Sequence, residues 1–209
     1  ACPRLLILPQ SDTERLLLEA LRREGLAEVR FSSEVTELSQ DDAGIAVTCR
    51  GEGGTERLEA RYLVGCDGAR STVRKALGLS FDGITYDLKA ALADVLPTPS
   101  VPDLPFPRLT TRGVLAIGVR IDDRLWRLIL PFRADDPLPL PERVERAVSG
   151  LFSTSVYETI WTSEFRLHRR LSSRFVQGRV ALAGDAAHLN SPVGGQGMNA
   201  GIQDSEVLC

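Results

Sequence analysis

Toward its C-terminal end the chain reads Gly178-Arg179-Val180-Ala181-Leu182-Ala183-Gly184-Asp185-Ala186-Ala187-His188. Soon after comes Asn190-Ser191-Pro192-Val193-Gly194-Gly195-Gln196-Gly197-Met198-Asn199. The apolar run Val180 to Ala183 predicts a buried strand that ends in a Gly-Asp turn and leads into a glycine-rich helix start. A carboxylate at a strand's end, beside small residues, is suited to accept a hydrogen bond from a sugar-like hydroxyl. Open backbone amides at a helix N-terminus suit an anionic or electron-rich group.

Two further stretches carry chemistry of the same kind. Tyr62-Leu63-Val64-Gly65-Cys66-Asp67-Gly68-Ala69-Arg70-Ser71 ends a predicted strand in an Asp-Gly turn and continues as Thr72-Val73-Arg74. Leu8-Pro9-Gln10, followed by Thr13-Glu14, ends another predicted strand in a glutamine, which offers both a donor and an acceptor.

Taken in order, the Gly184 to Asn199 run and the Cys66-Asp67-Gly68 run resemble motifs of the FAD-dependent aromatic hydroxylases, the p-hydroxybenzoate hydroxylase-like group A flavoprotein monooxygenases. The resemblance implies FAD as cofactor, NADPH or NADH as electron donor, O2 as co-substrate and a small aromatic or phenolic substrate, with multi-ring polyketides included. It implies that Asp185, beside Gly184, accepts from a ribityl hydroxyl while Ala186 and Ala187 keep the approach open. Gly194, Gly195, Gln196, Gly197, Met198 and Asn199 would bring backbone amides to the pyrimidine edge of the ring. Pro192 would lie over the ring near its oxygen-reactive carbon, the only catalytic positioning role assigned. Asp67 and Gly68 would belong to the motif associated with both FAD and nicotinamide, Asp67 organising a loop and Arg70 pairing with that loop or with a phosphate. Gln10 would face the ribityl chain. His188 is expected to buttress the flavin loop rather than react, because in this family oxygen transfer belongs to the flavin.

Composition narrows the alternatives. The 209 residues are 43% hydrophobic with a formal net charge of -3, which gives no broad electrostatic case for nucleic acid or an anionic membrane. No apolar run approaches the roughly 18 residues that span a bilayer. Cys2, Cys49, Cys66 and Cys209 form no C-x-x-C pair and no metal-like cluster, so no metal is expected and reduced thiols in a cytoplasm are the reading.

The elements that must position these residues follow from pattern. Arg4 to Leu8 is expected as a short buried strand, and Ser11-Asp12-Thr13-Glu14 as a capping box for a helix ending at Gly25. Val29 to Leu38, Ile45 to Arg50 and Thr55 to Val64 predict an antiparallel meander joined by short turns. Ser71 is expected to cap a short helix through Leu77, ended by Gly78. After Phe81 the character changes. A proline-rich link (Pro97, Pro99, Pro102, Pro105, Pro107) precedes a hairpin of Val114 to Ile121 and Leu125 to Leu130, a helix near Pro141 to Ser149, and a strand near Thr159 to His168. On that strand Trp161, Phe165 and Leu167 share one face and are expected in a core.

The fold class expected is α/β: an incomplete FAD-binding Rossmann-like domain of the glutathione-reductase type with an inserted sheet-rich substrate subdomain. Residues 1–80 and 179–209 would belong to the FAD-binding domain and 81–178 to the substrate subdomain. The G-x-G-x-x-G turn that normally opens a dinucleotide-binding domain does not occur in the sequence; Gly51-Glu52-Gly53-Gly54 lies between meander strands. These residues alone are therefore expected to hold FAD poorly, with a homodimer or a complementary N-terminal segment as partner. A second reading stays open, a truncated non-catalytic fragment or scaffold that does not bind FAD alone.

Overall fold

The structure is a computed structural model and describes residues 8–101, 108–190 and 195–208. In chain order the elements are α1 (Gln10–Glu24), β1 (Glu34–Gln40), β2 (Ile45–Gly51), β3 (Gly54–Ala60), β4 (Leu63–Gly65), α2 (Thr72–Ala76) and β5 (Phe81–Thr98). There follow β6 (Arg108–Thr110), β7 (Ala116–Arg120), β8 (Trp126–Arg133), α3 (Leu140–Phe152), β9 (Val156–Ser172), β10 (Val176–Gln177) and β11 (Val180–Leu182). A one-turn 3-10 helix (Gly184–Ala186), β12 (His188–Leu189) and α4 (Gly197–Leu208) complete the order. The architecture is α/β. Two compact units divide it: a first unit of residues 1–28 and 87–166, and a second of residues 29–86 and 167–209.

In the first unit, β5, β8, β7 and β6 are antiparallel neighbours. Strand alternation sends Ala91, Ala93, Val95, Trp126, Leu128 and Leu130 into one core, where Val144, Ala147, Val148 and Leu151 of α3 meet them. Their spacing in α3 is that of a single helical stripe. The expected hairpin is present, and its turn is fixed by Asp122, whose Oδ1 accepts from the Arg124 and Leu125 amides at 2.8 Å each. On the other side of the sheet register, Arg127 holds Asp94 through two bonds of 2.7 and 2.8 Å, Nε to Oδ1 and Nη2 to Oδ2.

Several expectations need correction here. Helix α1 begins at Gln10, one residue before the expected cap, because the Pro9 carbonyl accepts from the Asp12 and Thr13 amides. Ser11 is thus already helical and no capping box forms; Gln10 Nε2 instead donates to Glu14 Oε1 at 2.7 Å. The stop at Gly25 is as expected, with φ of 67°. Trp161 and Phe165 are exposed, 47% and 37%, whereas Leu167 is buried, so the three do not share a core. Strand β5 was hidden by its composition: Gly83 and Pro97 interrupt the alternation that would have announced 18 residues of strand. The expected strand Arg4 to Leu8 lies, but for Leu8, outside the described residues.

The second unit contains the expected meander, β1-β2-β3, all antiparallel, although its first strand begins at Glu34 and not at Val29. The run expected as one strand through Val64 is two. β3 stops at Ala60, and β4 leaves the meander to pair in parallel with β11, Leu63 opposite Val180 and Gly65 opposite Leu182. Arg179 makes that departure, donating from Nη2 to the Asp42 carbonyl at 2.7 Å while its own carbonyl accepts the Leu63 amide. Val180, Leu182, Ala186 and Ala187 share a core with Ile45 and Val73. At Gly65 a Cβ would lie 2.9 Å from Val73 Cβ and 3.0 Å from Leu182 Cδ2, so only glycine lets α2 sit this close to the β4–β11 pair. The two Asp-Gly and Gly-Asp turns thereby emerge from the ends of adjacent parallel strands.

Candidate functional site

Strand β4 delivers Asp67 and strand β11 delivers Asp185 from the same end of one parallel pair, and the two carboxylates do different things. Asp67 Oδ2 accepts the amides of Thr72 at 2.6 Å and Val73 at 3.1 Å, which satisfies the first turn of α2. Ser71 completes the cap, its Oγ accepting the Arg74 amide at 2.9 Å. Asp67 therefore organises the loop, as its place in the motif suggested. Gly68, at φ of 76°, makes the turn between them. Asp185 is exposed on the one-turn helix and has no hydrogen bond or ion pair among the described residues.

What holds Asp185 in place was only partly legible. Arg74, 4% exposed, donates from Nη1 to the Ala186 carbonyl at 2.8 Å and from Nη2 to the Ala69 carbonyl at 2.7 Å. Its guanidinium lies 3.8 Å from the Phe81 ring centre. Burial pulls the Arg74 pKa down, Asp67 pushes it back up, and Arg170 lowers it further. The arginine that joins the two motifs is thus Arg74. Arg70 is exposed and has no partner among the described residues. Val73 and Arg74 are both buried in this five-residue helix, so the arginine must find internal acceptors, and no local sequence pattern announces them.

On its other side the turn meets α4. The Gly184 amide donates to Asp204 Oδ2 at 2.7 Å, and His188 Nε2 lies 2.8 Å from the same oxygen. Asn190 Nδ2 approaches His188 Nδ1 at 3.4 Å. The tautomer with its proton on Nε2 satisfies both contacts, donating to Asp204 and accepting from Asn190. His188 buttresses the Gly184 turn through Asp204, where the expectation was the flavin loop. Asp204 was missed, although Gly197, Gly201 and Asp204 recur at a spacing that places them on one face of a helix. Ala186 and Ala187 do not line an open approach; both are packed in the core of this unit.

The glycine loop is partly described. Pro192 and Gly194 lie outside the described residues. Gly195 has φ of 64°, and a Cβ on either Gly195 or Gly197 would meet nothing within 4 Å. Within α4 the Ala200 amide bonds to the Gln196 carbonyl at 2.9 Å, so the amides of Gly197, Met198 and Asn199 precede the helical ladder. Met198 is exposed, and Asn199 Nδ2 donates to Gln196 Oε1 at 3.5 Å. Cys66, beside the Asp67 turn, has its thiol pushed up by desolvation and then by the Asp67 and Asp204 carboxylates. Gln10 belongs to the first unit, exposed at the start of α1.

The second unit thus carries an exposed, unpartnered carboxylate at a strand end, helix amides that precede the α4 ladder, and glycines with open space around them. The whole chain, residues 1–209, matches the family described as FAD binding domain. The chain belongs to that family. It is 36% identical over 215 residues to para-nitrophenol 4-monooxygenase of Pseudomonas sp. strain WBC-3, covering 99% of this chain and 53% of that protein. The crystal structure of p-nitrophenol 4-monooxygenase from Pseudomonas putida DLL-E4 matches with a TM-score of 0.84 at 32% identity, over 96% of this chain and 53% of that one. A ternary complex of aklavinone-11 hydroxylase with FAD and aklavinone gives a TM-score of 0.84 at 25% identity, over 96% of this chain and 40% of that one. The chain thus spans about half the length of such relatives.

FAD is the cofactor of this family. Among the described residues no helix is long and apolar enough to cross a membrane.

Proposed function

We propose that this chain is the flavin-holding part of a monooxygenase that hydroxylates an aromatic or phenolic substrate with NADH or NADPH and O2. The observation that carries the reading is Asp185: a carboxylate held outward by bonds to the backbone on both sides of it, yet itself unpaired. Asp67, by contrast, at the end of the neighbouring parallel strand, is spent on the Thr72 and Val73 amides. Asp185, at the matching position on β11, keeps both oxygens available to a ligand.

When bound, FAD would supply the hydride acceptance and the activation of O2. The protein's share is binding and positioning. Asp185 would accept from a ribityl hydroxyl. The amides of Gly197, Met198 and Asn199 would meet the ring's polar edge, and the positive end of α4 would favour negative charge there. Pro192, Gly194, Gly195 and Gln196 would complete the loop, with Gly68 and Arg70 as further cofactor contacts. The β4–β11 pair with α2 and α4 is read as part of a Rossmann-like domain of the glutathione-reductase type, and the sheet-rich segment 81–178 as the substrate subdomain. Similarity to para-nitrophenol 4-monooxygenase and aklavinone-11 hydroxylase supports a phenol or a multi-ring phenolic polyketide as the substrate class.

The test is Asp185→Ala in flavin-loaded protein. A hydrogen bond to a charged group contributes about 1.5–3 kcal/mol, so FAD affinity should fall roughly ten- to a hundredfold. Folding stability should be unchanged, because no internal partner is lost. Unaltered FAD affinity would remove the assignment. A protein that holds FAD but never couples NAD(P)H oxidation to hydroxylation of any phenol would favour a non-catalytic role instead.

A further inference from the structure

We infer that Asp204 is a positioning residue for the cofactor site: from the third turn of α4 it fixes the turn that presents Asp185. The inference rests on the reading of Asp185 as a flavin contact. One oxygen, Oδ2, accepts both the Gly184 amide at 2.7 Å and His188 Nε2 at 2.8 Å. These two donors flank Asp185 and bracket the whole one-turn helix. Gly184 has φ of 57° and its Cα approaches that of Gly201, where a Cβ would stand 3.5 Å away. The backbone of α4 is therefore close enough for a short aspartate side chain to reach the turn. Both partners are largely covered, with side-chain exposures of 13% for His188 and 27% for Asp204.

The consequence is geometric. The same helix carries the open amides of Gly197 to Asn199 at its N-terminus, and Asp204 lies two turns further along. Bonding Asp204 to Gly184 and His188 sets the distance between those amides and the Asp185 carboxylate. Two groups that grip one ligand at separated points gain affinity only when their spacing matches it. Asp204 touches no ligand itself. Its contribution passes through Asp185, and removing both should cost no more than removing Asp185 and the spacing together.

A double-mutant cycle tests this on the flavin-binding protein, reading FAD affinity by fluorescence and Gly184 amide exchange in the flavin-free form. Asp204→Ala should weaken FAD roughly tenfold and accelerate Gly184 exchange at least as much. In the Asp185→Ala background the same change should weaken FAD by less than about threefold, since the group it positions is gone. Asp204→Asn keeps an acceptor for the Gly184 amide and should rescue most of the affinity; it also carries the cycle if the alanine variant does not fold. Equal losses in both backgrounds, or unchanged Gly184 exchange, would overturn the inference while leaving Asp185 assigned. An Asp185→Ala variant with full FAD affinity would instead remove the reading beneath it, and the inference with it.

Discussion

Arg74 and Ala186 lie 112 residues apart in the chain and are joined by a bond of 2.8 Å from guanidinium to carbonyl. Through it the loop organised by Asp67 and the turn that carries Asp185 become one rigid corner. The Arg74 side chain is buried and spends its second amino group on the Ala69 carbonyl. Removing it would leave the buried Ala186 carbonyl and the partly covered Ala69 carbonyl without their donor.

Arg74→Ala should therefore cost about 2–4 kcal/mol of stability, more than any surface arginine here. Arg74→Lys can reach one carbonyl at most and should recover less than half of that loss. Thermal or denaturant unfolding of both variants gives the comparison. Losses within about 0.5 kcal/mol of wild type would mean that the corner is held by core packing alone.

Asp67 and Asp185 carry different expectations despite matching positions. Asp67→Ala removes the acceptor for the Thr72 and Val73 amides and should destabilise by about 1 kcal/mol, with Asp67→Asn milder. Stability measurements on the Asp67 and Asp185 alanine variants side by side should show a loss for the first alone.

The contrast shows what could be read from residue order. Cys66-Asp67-Gly68 and Gly184-Asp185 announce turns because glycine follows or precedes a short acid at the end of an apolar run, and both turns are where they were expected. The cap at Ser71 and the hairpin at Asp122 were legible for the same local reason. Arg74 and Asp204 were not, since each acts on a partner far along the chain, 112 and 20 residues away. Strand β5 was obscured by Gly83 and Pro97, and the split of β3 from β4 depends on a parallel partner, β11, that no local pattern names. Long-range pairing decides these, and periodicity reports only neighbours.

Gly65 offers a packing test. A methyl group there would come within 2.9 Å of Val73 Cβ and Cγ1 and 3.0 Å of Leu182 Cδ2. Gly65→Ala should destabilise by about 1–3 kcal/mol, and Val73→Ala in the same chain should relieve part of it. Additive losses in the double variant would refute the proposed contact.

Cys66 should be a slow thiol. Desolvation, Asp67 and Asp204 raise its pKa, so the thiolate fraction near neutral pH falls below that of a free cysteine. Alkylation in the folded protein should lag behind that of the unfolded chain and accelerate as pH rises. Asp204→Ala removes one of the raising charges and should speed it. A folded-state rate equal to the unfolded one would contradict the electrostatic account.

Asp122 gives an acid-side test. Backbone bonds from Arg124 and Leu125 hold its carboxyl below the ordinary range. A carboxyl whose folded pKa is depressed adds stability that is complete above the unfolded value and is lost as pH falls through the folded one. The advantage of wild type over Asp122→Asn should thus be flat at neutral pH and vanish in acid. A difference that grew on acidification would have the wrong sign.

Gly195 and Gly197 separate strain from ligand contact. Gly195 sits at φ of 64°, so Gly195→Ala should cost about 1 kcal/mol of stability even with open space around it. Gly197 opens α4 without a left-handed backbone, and nothing lies within 4 Å of a Cβ there. Gly197→Val should accordingly fold with stability within about 0.5 kcal/mol of wild type. Any loss of FAD affinity or change in flavin absorption in that variant must then come from a side chain meeting the cofactor rather than the protein. Wild-type stability together with wild-type flavin binding would show that the loop only connects β12 to α4, and that the ring's polar edge is met elsewhere.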